Sequence, residues 1–413
     1  MDNSSSLIND GARSREPLIQ YTAQAASKLV SGETKLTIGG SALTAAGLFD
    51  TVEIPYAEIN GLSIADYTVA IDSDSGAFAF SRMGNWCQPF YDALLEAYNN
   101  AVLRALFIKS SPALTAKGNY HYTENAASAG GSAPVHVYDN NVTVLPPDLS
   151  ARRIPLCFVS GMETGDFELT LKLDTGESYT FAKLGYDTVP FADAVAKQIR
   201  SLHEKSLAAV RELDPSLTPA QASQLAKLMP QGAAASFMRI ADIAPSFVPA
   251  LEAKLAETRI AEYYAAMKEL CDPSAIYVGF RENADACVNS GQTESCDAEP
   301  YLLWLIAPSP DGQYAAVEFA EADAATFIYE SRGDFGVFVQ QLNRALEAIS
   351  FKREVIRMTG EELRKSENAD YYMADKRTAA LQFIRSRFTG RLIHSGVGAW
   401  TGKLAQAWGI AGR

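Results

Sequence analysis

Residues able to do chemistry are few in this chain, and their spacing matches no familiar site. The four histidines, His121, His136, His203 and His394, form no H-x-x-x-H or H-x-H pair that would set two imidazoles on one metal ion. The five cysteines, Cys87, Cys157, Cys271, Cys287 and Cys296, are odd in number and contain no C-x-x-C; Cys287 and Cys296, nine residues apart, fit no standard ligand spacing. Gly402-Lys403-Leu404 lacks the first spacing and the hydroxyl of a phosphate-binding loop, and Gly396-Val397-Gly398 with Gly402 misses the dinucleotide spacing by one residue. No G-x-S-x-G elbow is present. Asp72, Asp74 and Asp174 stand beside or near glycine in turn-like stretches, where Asp bonds its own backbone. The expectation is no catalytic residue, no cofactor and no metal, hence no enzyme.

The remaining chemical signal is a charge asymmetry. Seven of the 36 basic residues and none of the 49 acidic ones lie in 376–413, leaving 29 bases against 49 acids in the rest. Aromatic residues interleave with these bases, so Arg385, Arg387, Phe388, Arg391, Trp400, Lys403 and Trp408 are candidate contacts to a protein partner or a membrane surface. Docking of this tail on the acidic body of its own chain is the alternative. Glycines at 390, 396, 398, 402 and 409 argue against one continuous helix there.

The elements that must position such a tail follow from size and pattern. With 413 residues and 47% hydrophobic residues, the chain holds several domains, since single cores stop growing near about 250 residues. A net charge of -13 disfavours nucleic acid. The opening Met-Asp-Asn-Ser-Ser-Ser-Leu lacks a signal-peptide pattern, and no window approaches the ~20 apolar residues of a membrane span, so a cytoplasmic location is expected and the Asn141-Val142-Thr143 sequon is incidental.

An internal repeat organises the first half. Ile54-Pro55-Tyr56-Ala57-Glu58-Ile59-Asn60-Gly61 aligns with Ile154-Pro155-Leu156-Cys157-Phe158-Val159-Ser160-Gly161 at an offset of 100, and Asp74-Ser75-Gly76 meets Asp174-Thr175-Gly176. After one inserted residue, Phe80, Gly84, Pro89-Phe90 and Asp92-Ala93 meet Phe181, Gly185, Pro190-Phe191 and Asp193-Ala194 at 101. Each copy reads as short alternating strands with Gly, Asp or Asn turns. Helical spacing then takes over at Phe90, Leu94, Leu95 and Tyr98, and at Phe191, Val195, Ile199 and Leu202. The repeat predicts that Ile54 and Ile154 are buried, that Phe90 and Phe191 cap their barrels, and that Trp86 forms a hydrophobic lid.

Six or seven antiparallel strands closed by one C-terminal helix resemble the pleckstrin-homology-like barrel, and Ile54-Pro55-Tyr56-Ala57-Glu58-Ile59 looks like the corresponding strand of bacterial PH-like and GRAM-related domains. The resemblance implies an α+β, mainly β chain with tandem PH-like barrels. Phosphoinositide-binding members resemble one another in a basic first hairpin, which neither Ile38-Gly39-Gly40-Ser41 nor Tyr138-Asp139-Asn140-Asn141 supplies.

The expected organisation is a flexible N-terminus over 1–16, a first barrel over 17–112, a linker over 113–134 and a second barrel over 135–213. A helical linker over 214–275, a degenerate PH-like or α+β domain over 276–351 and a helical basic tail over 352–413 complete it. The expected function is that of a non-enzymatic scaffold binding a protein or peptide, with peripheral membrane association through the tail as the alternative.

Overall fold

The computed structural model describes residues 19–124, 127–282, 301–320 and 324–410 of a mixed α+β chain. The chain divides into two compact units, Met1–Ala101 and Val102–Arg413. The first contains one curled antiparallel sheet of β1 (Ile19–Ala26), β2 (Ser31–Ile38), β3 (Ala42–Ala46), β4 (Thr51–Pro55), β5 (Ile59–Ala65), β6 (Thr68–Ser73) and β7 (Gly76–Ser81), followed by helix α1 (Cys87–Ala105). Inward residues alternate along the strands, so Leu36, Leu43, Ile54, Val69, Ile71, Phe78 and Phe80 are all buried. Phe90 on α1 closes the sheet edge-to-face against Phe80, with ring centroids 6.3 Å apart. Trp86, expected as a lid, is instead 66% exposed and meets Tyr21 in a T-shaped pair with ring centroids 6.4 Å apart, while Met83 and Cys87 on either side of it are buried.

The second unit begins with a sheet of the same design. It comprises β8 (Leu114–Glu124), β9 (Ala127–Val137), β10 (Asn141–Val144), β11 (Arg152–Pro155), β12 (Val159–Gly165), β13 (Glu168–Leu173) and β14 (Ser178–Ala182), followed by α2 (Thr188–Leu213). The strand orders β4-β3-β2-β1-β7-β6-β5 and β11-β10-β9-β8-β14-β13-β12 are the same permutation, and both sheets carry a bulge at Ile59/Gly61 and Val159/Gly161. Ile54, Ile154, Phe90 and Phe191 are all fully buried, and Phe191 meets Phe181 as Phe90 meets Phe80. The paired positions of the repeat therefore do the same structural work.

Residues 113–134, expected as a linker, instead supply β8 and most of β9, an eleven-pair ladder from Leu114↔Val137 to Glu124↔Ala127. Their small residues answer close approach rather than flexibility. A Cβ at Gly118 would fall 2.6 Å from Leu184 Cδ2 and 2.7 Å from the Ala182 carbonyl.

The rest of the unit surrounds a third sheet. Its elements are α3 (Pro219–Leu228), β15 (Ala234–Ser236), α4 (Phe237–Ile243), α5 (Phe247–Ala256), α6 (Ala261–Leu270), β16 (Tyr277–Glu282), β17 (Tyr301–Pro308), β18 (Tyr314–Phe319), β19 (Ala325–Glu330), α7 (Phe335–Ala348), α8 (Glu354–Arg357), α9 (Gly360–Leu363), α10 (Ala369–Arg377), α11 (Ala379–Arg387), β20 (Phe388–Ile393) and α12 (Val397–Ala407). The six strands run in simple order, β15 to β20, without the seven-strand permutation of the first two sheets. The described strands within 276–351 therefore do not repeat the strand order of the first two sheets, and their sheet takes its edge strands from the expected linker and tail. Helices cover both faces, which explains why Leu302–Ala307 is buried without alternation. Leu303 and Leu305 pack toward α3–α6 and α12, whereas Leu302, Trp304 and Ile306 pack toward α7, α8 and α11. Among the described residues no helix is long and apolar enough to cross a membrane. Residues 1–16, Cys287 and Cys296 lie outside the described residues.

Candidate interaction cleft

Within the second unit, two adjoining cavities run beneath α2 and share Cys157 and Leu202. The first, about 470 Å³, is bordered by Arg153, Lys205, Arg281, Glu282, Glu347 and Phe351. The second, about 450 Å³, opens between the start of β12 and α2, past Phe158, Val159, Asp174 and Pro230. Helical geometry fixes the lining of α2. Gln198, Ser201, Leu202 and Lys205 recur at i, i+3, i+4, i+7 along one cavity, and Ile199, Leu202, His203 and Ser206 recur likewise along the other.

A buried charge network forms the wall between the second sheet and α7. Arg344 Nε donates to Glu177 Oε1 at 3.0 Å, and its Nη2 donates to the Arg153 carbonyl at 2.9 Å. Arg153 Nη2 meets Glu347 Oε1 at 2.8 Å, and Tyr179 Oη donates to Glu177 Oε2 at 2.7 Å. The side chains of Arg344, Glu177, Arg153 and Glu347 are each less than a tenth exposed, so every charge here depends on its partners. Burial opposes the charge of Arg344, yet Glu177, Tyr179 and Glu347 more than offset this and hold its pKa above the usual value. Burial, reinforced by Glu177, pushes the Tyr179 phenol well up.

The cleft's own titratable groups are tuned away from reactivity. Burial, with Glu347 adding to it, pushes the Cys157 thiol well above its ordinary range, which disfavours a thiolate nucleophile. Desolvation, with Glu177 adding to it, lifts Asp174 to about 6. The Asp174 carboxyl accepts from the backbone N–H groups of Thr175 and of its own residue, so its expected turn role holds while its side chain borders the cleft. Among the described residues no cluster of three or more His, Cys, Asp or Glu could hold a metal.

The seven tail residues do not converge on one surface. Trp400 and Trp408, expected to face a partner or a membrane, face the core, because Trp400 and Leu404 of α12 and Trp408 at its C-terminal cap form an i, i+4, i+8 stripe. Trp400 Nε1 donates to buried Thr326 Oγ1 at 2.8 Å. Arg385 pairs with Asp375 at 3.4 Å and donates to the Met358 carbonyl. Arg387 stacks over Phe383 at 4.2 Å, and Phe388 packs against Phe327 and Tyr329. Of the seven, only Arg391 and Lys403 are exposed.

The sequence reading missed Arg153, Glu177, Arg344 and Glu347. One signal for them was available: the residue inserted in the second repeat. Asp72 faces Ala77 across the β6–β7 turn, whereas Lys172 faces Ser178, so the second turn holds one residue more and Glu177 is the carboxylate it gains.

No family model matches the chain, and no curated protein is similar to it. Among solved structures, the Spt16D Pob3N heterodimer matches 39% of this chain and 86% of its own at 13% identity, with a TM-score of 0.17. That likeness is too slight to carry an argument about fold or function.

Proposed function

We propose that the protein is a non-enzymatic interaction or scaffold protein that holds an extended segment of a protein partner in the cleft between β12 and α2. The observation that carries this reading is the pairing of an apolar-floored cleft with β12, which among the described residues ends its sheet and pairs only with β13. The outer backbone groups of such a strand can add a further strand, while pockets beside it select side chains. The shared strand order followed by a helix supports reading both repeats as PH-like modules.

A photo-crosslinking residue placed at Ser160 in the full chain tests the reading inside cells. A discrete crosslinked polypeptide is expected, and it should vanish when His203→Trp, on the α2 wall of this cavity, fills the cleft. No crosslink, or one indifferent to that substitution, would refute it.

A further inference from the structure

We infer that the outer edge of β20 is a second docking strip, separate from the β12–α2 cleft, that takes an extended acidic segment of a protein partner. Among the described residues, β20 is the last strand of the six-stranded sheet and pairs only with β19. Beside it lies an open cavity of about 490 Å³ on which three cations converge: Arg357 at the end of α8, Lys365 just past α9, and Arg391 on β20 itself. All three are exposed, and none makes an ion pair within 4 Å of a described carboxylate.

Two carboxylates share this cavity. Glu362 is engaged locally, since its Oε2 accepts the Thr359 backbone N–H at 2.7 Å in a capping box. Glu367 is exposed. Gly390, between Phe388 and Arg391, presents no side chain, and nothing lies within 4 Å of where a Cβ would sit, so a second backbone can approach there.

One cation on an edge strand serves to repel stray strands. Three cations from three separate segments do more: Glu362 already lies in the field of Lys365 and Arg357, and an incoming strand bearing further carboxylates gains charge-assisted bonds that a neutral strand does not. The strip therefore selects its occupant by charge, and the main-chain ladder supplies the affinity.

The test uses the full chain and a labelled Glu-Thr decapeptide, followed by fluorescence anisotropy, with a Gln-Thr decapeptide as control. Binding of the Glu-Thr peptide should weaken as salt rises, and hydrogen exchange should slow in 388–393. Lys365→Glu with Arg391→Glu, both exposed positions, should weaken binding about tenfold without lowering the thermal midpoint. Equal binding of the two peptides, indifference to the double variant, or protection outside β20 would overturn the inference. Loss of binding in His203→Trp would also overturn it, since the peptide would then occupy the β12–α2 cleft.

Discussion

Replacing Arg344 with methionine tests whether the charge network holds the second sheet against α7. Methionine keeps much of the side-chain volume but removes the donors to Glu177 Oε1, to Glu347 and to the Arg153 carbonyl. Glu347 retains Arg153 at 2.8 Å, while Glu177, 6% exposed, retains only the Tyr179 hydroxyl. A carboxylate is then buried without a counter-charge, which costs about 3–5 kcal/mol. For a large domain this lowers the melting midpoint by roughly 6–20 °C. Tryptophan fluorescence in urea is the assay, because buried Trp304, Trp400 and Trp408 all report on the second unit. Adding Glu177→Leu should recover at least half of the loss, since it removes the stranded charge. A single-variant loss below about 1 kcal/mol, or no recovery in the double variant, would show that water reaches Glu177 and that the network does not hold the junction.

Three further outcomes are expected. Trp400→Ala should cost about 3–5 kcal/mol by leaving a cavity and removing the indole donor from Thr326 Oγ1, which keeps its bond to Glu318, whereas Lys403→Ala should stay within about 0.5 kcal/mol; urea titrations of both variants check this. Asp174→Asn should raise the second unit's thermal midpoint at pH 8 and lose that advantage below about pH 4. The folded-state pKa of Asp174, about 6, lies above the ordinary 3.8, so its stabilising contribution is complete only when it is protonated and fades as pH rises through 6. Gly118→Val should abolish the β8–β14 pairing by forcing its Cβ into the Ala182 carbonyl, read as lost hydrogen-exchange protection across Lys117–Tyr122.

Much of the first half was legible in sequence because its signals are local. Alternating strands, turn residues and the switch to helical spacing at Phe90 and Phe191 are set by neighbours a few residues apart, and duplication shows them twice. Strand β8 was not legible, because Gly118 looks like a linker residue until Leu184, 66 positions on, is seen against it. The tail misled for a related reason. Aromatics among bases describe a membrane-surface segment and the apolar stripe of α12 equally well, and only the adjoining sheet face decides where Trp400 and Trp408 point.

The sequence by itself determined the repeat, its strand-and-helix grammar and the charge asymmetry, since each depends on residue type and short spacing. The tertiary structure alone decided that β15 and β20 complete a third sheet, and that Glu177 meets Arg344 across 167 positions. It also decided that the cations near β20 share one cavity. Those outcomes depend on which distant surfaces exclude water together, and no local pattern encodes that pairing.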